Sequence, residues 1–266
     1  MSANPLVSIL IIHYNRLHTL QECIRFARAN IRYPNLEFII ADDGSPADVQ
    51  AAIKLLPFDK FILSEKNAGL GANTNHGISA CSGEYIFQIQ DDHFILPGFE
   101  DYLEKAIMVL QKEKNKGIIR SLINKDFTSY TMSSANGVAY RIIAKPIWKN
   151  GYNGFHQHSE LPHFKHNSYH KVLGLYTEGT DMIYMENEFS IRFLRANGYR
   201  LFFVKGYDNI FHHATEYSFR PAIYKGMTDT GMYARLKKTI KKKMPILRLI
   251  RFYWWMIKYD PVKRRY

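Results

Sequence analysis

Tyr85-Ile86-Phe87-Gln88-Ile89-Gln90-Asp91-Asp92-His93 is the stretch on which the reading of this chain turns. An apolar run of strand length ends in two adjacent carboxylates, and buried carboxylates are costly unless a cation neutralises them. A divalent metal carrying a diphosphate would do so, whereas the plainer alternative is that Asp91 or Asp92 caps the next helix, which Pro97 helps to start. A second acidic turn favours the first reading. Asp42-Asp43-Gly44-Ser45 follows another apolar strand, Leu36-Glu37-Phe38-Ile39-Ile40-Ala41.

Outward from these two turns, the chain up to about residue 115 alternates strand and helix. Apolar runs at Val7 to Ile12, Leu36 to Ala41, Phe61 to Ser64 and Tyr85 to Ile89 are separated by helical patterns near Leu17 to Asn30, Ala47 to Leu55 and Gly69 to Ala80. This spacing predicts an α/β fold with a parallel sheet covered on both faces. Ligands of such sheets sit outside the carboxyl ends of the strands, so Tyr14-Asn15, Asp42-Asp43 and Asp91-Asp92 are expected at one crevice.

Beyond residue 115 the pattern is mixed. A helix is expected from Phe99 to about Gln111 and another from Glu186 to Asn197, stopped by Gly198; strands are expected at Gly117 to Asn124, Val138 to Ile143 and Arg200 to Val204. Trp148 to Thr180 has little period and reads as a long functional loop. Its five histidines, His156, His158, His163, His166 and His170, lack cysteine partners and a repeated ligand spacing, so a mobile acceptor loop is expected in preference to a zinc site.

At 266 residues and 46% hydrophobic, the chain can bury a large core and is not disordered. Cys23 and Cys81 are its only cysteines and lie in apolar patterns, which suits reduced thiols in a cytosolic protein. The Val7 to Ile12 run is too short and lacks a basic leader for a signal peptide, and no stretch reaches the roughly 18 to 20 apolar residues of a membrane span. From Ala234 to Tyr266 there are 12 Lys or Arg against one Asp, so the tail carries +11 of the chain's +12. With Phe252-Tyr253-Trp254-Trp255-Met256-Ile257 interleaved, it suits the headgroup layer of an anionic membrane better than a nucleic acid; a helix packed on the core is the other alternative.

The motifs in order resemble a known family. Val7 to Arg16, Asp42-Asp43-Gly44-Ser45, Asn67-Ala68-Gly69 with Asn75-His76-Gly77-Ile78, and Gly83-Glu84-Tyr85 leading into Asp91-Asp92 look like the donor half of family 2 glycosyltransferases. The resemblance covers roughly residues 5 to 115 and continues more weakly to about 218. It implies a GT-A (Rossmann-like) mixed, mostly parallel sheet flanked by helices, here with a basic amphipathic C-terminal helical extension. It also implies inverting transfer from a nucleotide diphosphate sugar with Mn2+ or Mg2+, UDP being the expected nucleotide.

Site residues follow from the resemblance, position by position. Tyr14, Asn15, Asp42, Asp43, Asn75 and Asp91 are implied to bind the donor, and Asp92 the metal; Gln90 stands where the family more often has a carboxylate. The family's Glu-Asp-x-Asp-Leu-x-x-Arg pattern, anchored on Phe189 and Arg192, falls on Met185, Glu186 and Glu188. This makes Glu186 the implied base that takes the acceptor's proton, with Glu188 as substitute. His212, or His213 in the adjacent register, is implied at the metal or the leaving diphosphate.

The organisation expected is a catalytic domain over 1–232, with a nucleotide-sugar half at 5–115 and an acceptor half at 116–232, followed by the extension at 233–266. Expected partners are a nucleotide-sugar donor, a glycan or lipid-linked acceptor in surface polysaccharide biosynthesis and an anionic membrane surface, with no nucleic acid. The expected location is the cytoplasmic face of a membrane. Two rivals remain: a non-catalytic module of the same fold, kept open by Gln90 and Met185, and a sugar nucleotidyltransferase. The latter usually has a Gly-rich phosphate loop that His13-Tyr14-Asn15-Arg16 does not match.

Overall fold

The computed structural model describes residues 4–121, 127, 129–144 and 157–214. His156, Ser218 and the basic extension at 233–266 lie outside the described residues.

Four parallel strands form the first half of a nine-stranded sheet: β1 (Val7–His13), β2 (Leu36–Asp42), β3 (Lys60–Leu63) and β4 (Tyr85–Gln90). The runs of buried Ile, Leu, Phe and Val in β1, β2 and β4 are what a sheet covered on both faces requires, while β3 at the sheet's edge is only partly covered. The helices between them are α1 (Leu17–Asn30), α2 (Ala47–Ile53) and α3 (Leu70–Ala80). On α1, Leu20, Cys23, Ile24 and Ala27 make one buried stripe at helical spacing. After α3 and β4 come the short β5 (His93–Ile95) and α4 (Phe99–Lys112), whose stripe of Phe99, Leu103, Ala106, Ile107 and Leu110 joins the main core.

The second half adds β6 (Gly117–Arg120), β7 (Tyr130–Ala135), β8 (Val138–Ile143), β9 (His163–His166), α5 (Ser168–Leu173), α6 (Met182–Arg195), β10 (Arg200–Val204) and β11 (Phe211–His213). The sheet order is β3-β2-β1-β4-β9-β6-β10-β8-β7, while β11 pairs with β5 in a separate two-stranded ribbon. β9 runs antiparallel between β4 and β6, with Phe164 level with both Phe87 and Ile119.

This placement corrects the loop expected at Trp148 to Thr180 for its described part. His158, His163 and His170 are buried, β9 is an internal strand and α5 follows it. The polar side chains that hid the strand are satisfied inside: Lys165 Nζ donates to Gln88 Oε1 at 2.7 Å, and Gln88 Nε2 donates to Glu160 Oε2 at 2.6 Å. α6 also begins earlier than expected, because Asp181 caps it by accepting from the Tyr184 amide at 2.9 Å.

Candidate active site

β1, β2 and β4 are parallel, with His13 level with Asp42 and Gln90 level with Ile12, so the turns after the three strands share an edge. His13 ties that edge together. Its Nδ1 lies 2.7 Å from Asp91 Oδ2 and its Nε2 3.8 Å from Asp42 Oδ1. Asn15 adopts φ 50, a left-handed conformation that Asn tolerates better than most residues, and its amide donates to Ser45 Oγ at 2.8 Å. Tyr14 beside it is 40% exposed, an aromatic face open at the rim.

The acidic turn after β2 is held from within. Asp42 accepts from the Ser45 amide and hydroxyl and from Gln50 Nε2, so its evident work is to shape the turn. Gly44 has φ 72, and a Cβ there would lie 2.2 Å from the Lys66 carbonyl carbon, which reserves the position for glycine. Asp43 accepts from the Ala68 and Gly69 amides at 2.8 and 3.1 Å, joining this turn to the start of α3. Burial raises its carboxyl above the usual range despite those two donors. Asn75 is also engaged: its amide donates to Tyr176 O and Glu178 Oε1 and accepts from Tyr176 N, latching α3 to the segment before α6.

Asp91 and Asp92 are buried at the end of β4 and bridged by one cation. Arg16 Nη2 pairs with Asp91 Oδ1, and Arg16 Nη1 donates to Asp92 Oδ2 at 3.1 Å. Burial pushes the Asp91 carboxyl up, against the pull of His13 and Arg16. Burial acts on Asp92 too, but the His93 hydrogen bond and the charges of His93, Arg16 and His213 outweigh it and hold that carboxyl well below the usual range.

The β5–β11 ribbon sets His213 opposite His93, with the rings stacked at 4.3 Å and His213 Nε2 3.8 Å from Asp92 Oδ2. Strand alternation turns His212 the other way, against Phe94. Of the two histidines expected here, His213 is the one beside Asp92. The ligand atoms of Asp92, His93 and His213 all lie within 4.8 Å of one another. The buried His93 Nε2 has no hydrogen-bond partner among the described residues, so a small divalent ion fits this donor set. Two imidazoles beside one carboxylate depart from an all-oxygen shell and make Mn2+ a better match than Mg2+.

Glu186 and Glu188 differ in how they are engaged. Glu188 is 2% exposed and fixed by Arg192 at 2.5 Å and by the Thr177 hydroxyl at 2.7 Å. Glu186 accepts from the Glu160 amide at 2.9 Å. Burial raises its carboxyl, as does the nearby Glu160, while the Glu160 amide and Arg120 pull it down. Glu160 lies just ahead of β9, the strand beside β4, so Glu186 is tied to the segment that leads into the middle of the sheet. Met185, at the family's preceding acidic position, is buried under Gly71.

A family model described as glycosyl transferase family 2 matches residues 8–175, which takes in the strand-end turns and β9. The chain belongs to that family. Among its glycosyltransferase relatives is an uncharacterised glycosyltransferase of Rickettsia typhi, 37% identical over 117 residues, covering 44% of this chain and 35% of the relative. The chain thus matches little more than a third of that protein's length. S. aureus TarS 1-349 in complex with UDP-GlcNAc superposes with a TM-score of 0.56 at 14% identity, covering 81% of this chain and 62% of that TarS chain. The mannosyltransferase PcManGT from Pyrobaculum calidifontis, in complex with GDP-Man and Mn2+, does so with a TM-score of 0.53 at 14% identity, covering 77% and 59%. These likenesses establish the GT-A glycosyltransferase fold.

Sequence reasoning singled out neither Arg16 nor His93 as site residues. Arg16 acts across 75 residues of chain, and His93 joins through its bond to Asp92 and the ribbon register, so adjacency to Asp92 was the one signal available for it.

Proposed function

We propose that this glycosyltransferase moves a sugar, with inversion, from a nucleoside diphosphate sugar of the UDP type to a hydroxyl of a glycan or lipid-linked acceptor. The observation that supports this reading is the cluster of buried Asp91 and Asp92 with His213 at the end of β4, beside β9, the strand whose leading segment holds Glu186 through the Glu160 amide. Tyr14 offers its ring to the base, while Asn15, Asp43 and Asp91 line the path to the ribose and phosphates. Asp42 and Asn75 support the donor through the turn and the latch they hold. Asp92, His93 and His213 would hold a divalent ion, which when bound supplies positive charge to the departing diphosphate. Glu186, its proton affinity raised by burial, accepts the proton of the attacking hydroxyl.

The test is release of nucleoside diphosphate from a panel of nucleotide sugars with Mn2+ present. In Glu186→Gln, which keeps size and hydrogen bonding, transfer is expected to fall by about 100-fold or more with donor affinity preserved. Release unchanged in that variant would remove Glu186 from the chemistry, and no release from any donor by the native chain would favour a non-catalytic module.

The proposed division keeps 1–232 as the catalytic domain and gives 233–266 a docking role on an anionic, cytoplasmic membrane face, in surface polysaccharide synthesis. Support comes from the tail's +11 and its aromatic run; among the described residues no helix is long and apolar enough to cross a membrane. Deleting residues after Tyr233 should abolish binding to anionic vesicles and leave nucleotide affinity unchanged. Vesicle binding as strong as that of the intact chain would refute the docking role.

A further inference from the structure

Arg16 is placed where a ligand cation would otherwise be required. Its guanidinium spans both carboxylates at the end of β4, one nitrogen to each, and 20% of the side chain remains accessible to solvent. The backbone leading to it is unusual. Asn15 takes φ 50, and Arg16 itself stands at the start of α1 with φ −134 and no side-chain capping bond. A left-handed turn that leads into a cation set on two buried acids differs from a surface ion pair formed by convenience.

Two cations cannot take the same oxygens. The Asp92 oxygen nearest His213 Nε2 is Oδ2, and that is the oxygen to which Arg16 Nη1 donates. An ion held by Asp92 and His213 therefore competes directly with the guanidinium. A displaced Arg16, already partly exposed, would remain beside the strand ends, and a planar guanidinium matches phosphate oxygens as well as it matches carboxylates.

We propose that Arg16 is the resident counter-ion of Asp91 and Asp92, that it and a divalent ion exclude one another there, and that an ion-bound diphosphate frees its guanidinium to pair with the phosphates. The second half of this proposal rests on the nucleotide-sugar reading; the first does not.

The experiment separates them. Mn2+ alone is titrated into the native chain, Arg16→Gln and Arg16→Lys, with free Mn2+ followed by its magnetic resonance signal and folding checked by thermal melting. Removing the competing charge should tighten Mn2+ binding in Arg16→Gln by at least about tenfold. Arg16→Lys, a point charge that cannot fork across both acids, should fall between the two and keeps the test decisive if the Gln variant does not fold. UDP is then titrated at saturating Mn2+, where both variants should bind it more weakly than the native chain, Arg16→Gln by about tenfold. Mn2+ affinity unchanged or weakened in the variants would overturn the competition. Tightened Mn2+ binding with native UDP affinity in the variants would overturn the transfer to phosphate. Tightened Mn2+ binding with no nucleoside diphosphate bound by the native chain would uphold the competition and count against the nucleotide-sugar reading itself.

Discussion

At the ends of β1, β2 and β4, buried acids are balanced by groups that reach solvent: Arg16 over Asp91 and Asp92, and His213, 40% exposed at its side chain, beside Asp92. Around β9, buried charge is balanced by groups that do not. Lys165, Gln88 and Glu160 are bonded in a row, with His163 Nε2 3.1 Å from Lys165 Nζ and His158 Nε2 3.5 Å from Glu160 Oε1, all of them buried. Burial pushes the Lys165 ammonium down to about 7 and the Glu160 carboxyl up. Counter-ions that can leave make a place for a ligand; counter-ions sealed in place make a frame. The frame meets the site where the Glu160 amide holds Glu186.

The sharpest way to break this comparison is to remove one charge from each region. Lys165→Met leaves Glu160 buried without its cation and should cost about 3–5 kcal/mol of unfolding free energy in denaturant titrations. Asp92→Asn keeps an oxygen for His93 and lets Arg16 and His213 turn to solvent, so its cost should be smaller than that of Lys165→Met, while stabilisation by Mn2+ with UDP is lost. Equal costs in the two variants would show that the regions do not differ in this way.

A smaller effect sharpens the same contrast. Burial, aided by Lys165 and Arg120, pushes His158 and His163 well below the usual imidazole range, and burial with Lys165 does the same to His170. Because the folded chain holds them neutral, the unfolded chain takes up protons first as pH falls below about 6.5, and each histidine then costs up to about 1.4 kcal/mol of stability by pH 5.5. The raised carboxyls of Glu160 and Glu186 act in the opposite sense and offset part of it. A net fall of about 1–2 kcal/mol between pH 7.5 and 5.5 is expected in unfolding measurements. A profile flat over that range would mean that these imidazoles are open to protons.

The legible and the illegible parts of the chain divide along the same line. β1, β2 and β4 announce themselves because both faces of each are apolar, and the acids at their ends stand out against those runs. β9 escapes notice because His163-Phe164-Lys165-His166 has no apolar alternation; it becomes a strand only through partners supplied by β4 and β6. β5 and β11, at three residues each, are too short to show a period, and with them went His93 and the choice of His213 over His212. Glu186 is the base that the family pattern implies, but what sets it apart from Glu188, one acid held by an amide and the other fixed by Arg192, is three-dimensional.

The position of β9 bears on how such a chain is made. The strand that closes the sheet between β4 and β6 is synthesised after both, and its pairing with β4 joins residues as distant as Tyr85 and His166. Until the ribosome has passed that point, β4 and β6 each present an open edge of unpaired backbone, the kind of edge that recruits other chains. Closure over so long a loop is slow compared with helix formation, so the emerging first half of the sheet spends its most vulnerable interval waiting for its central strand.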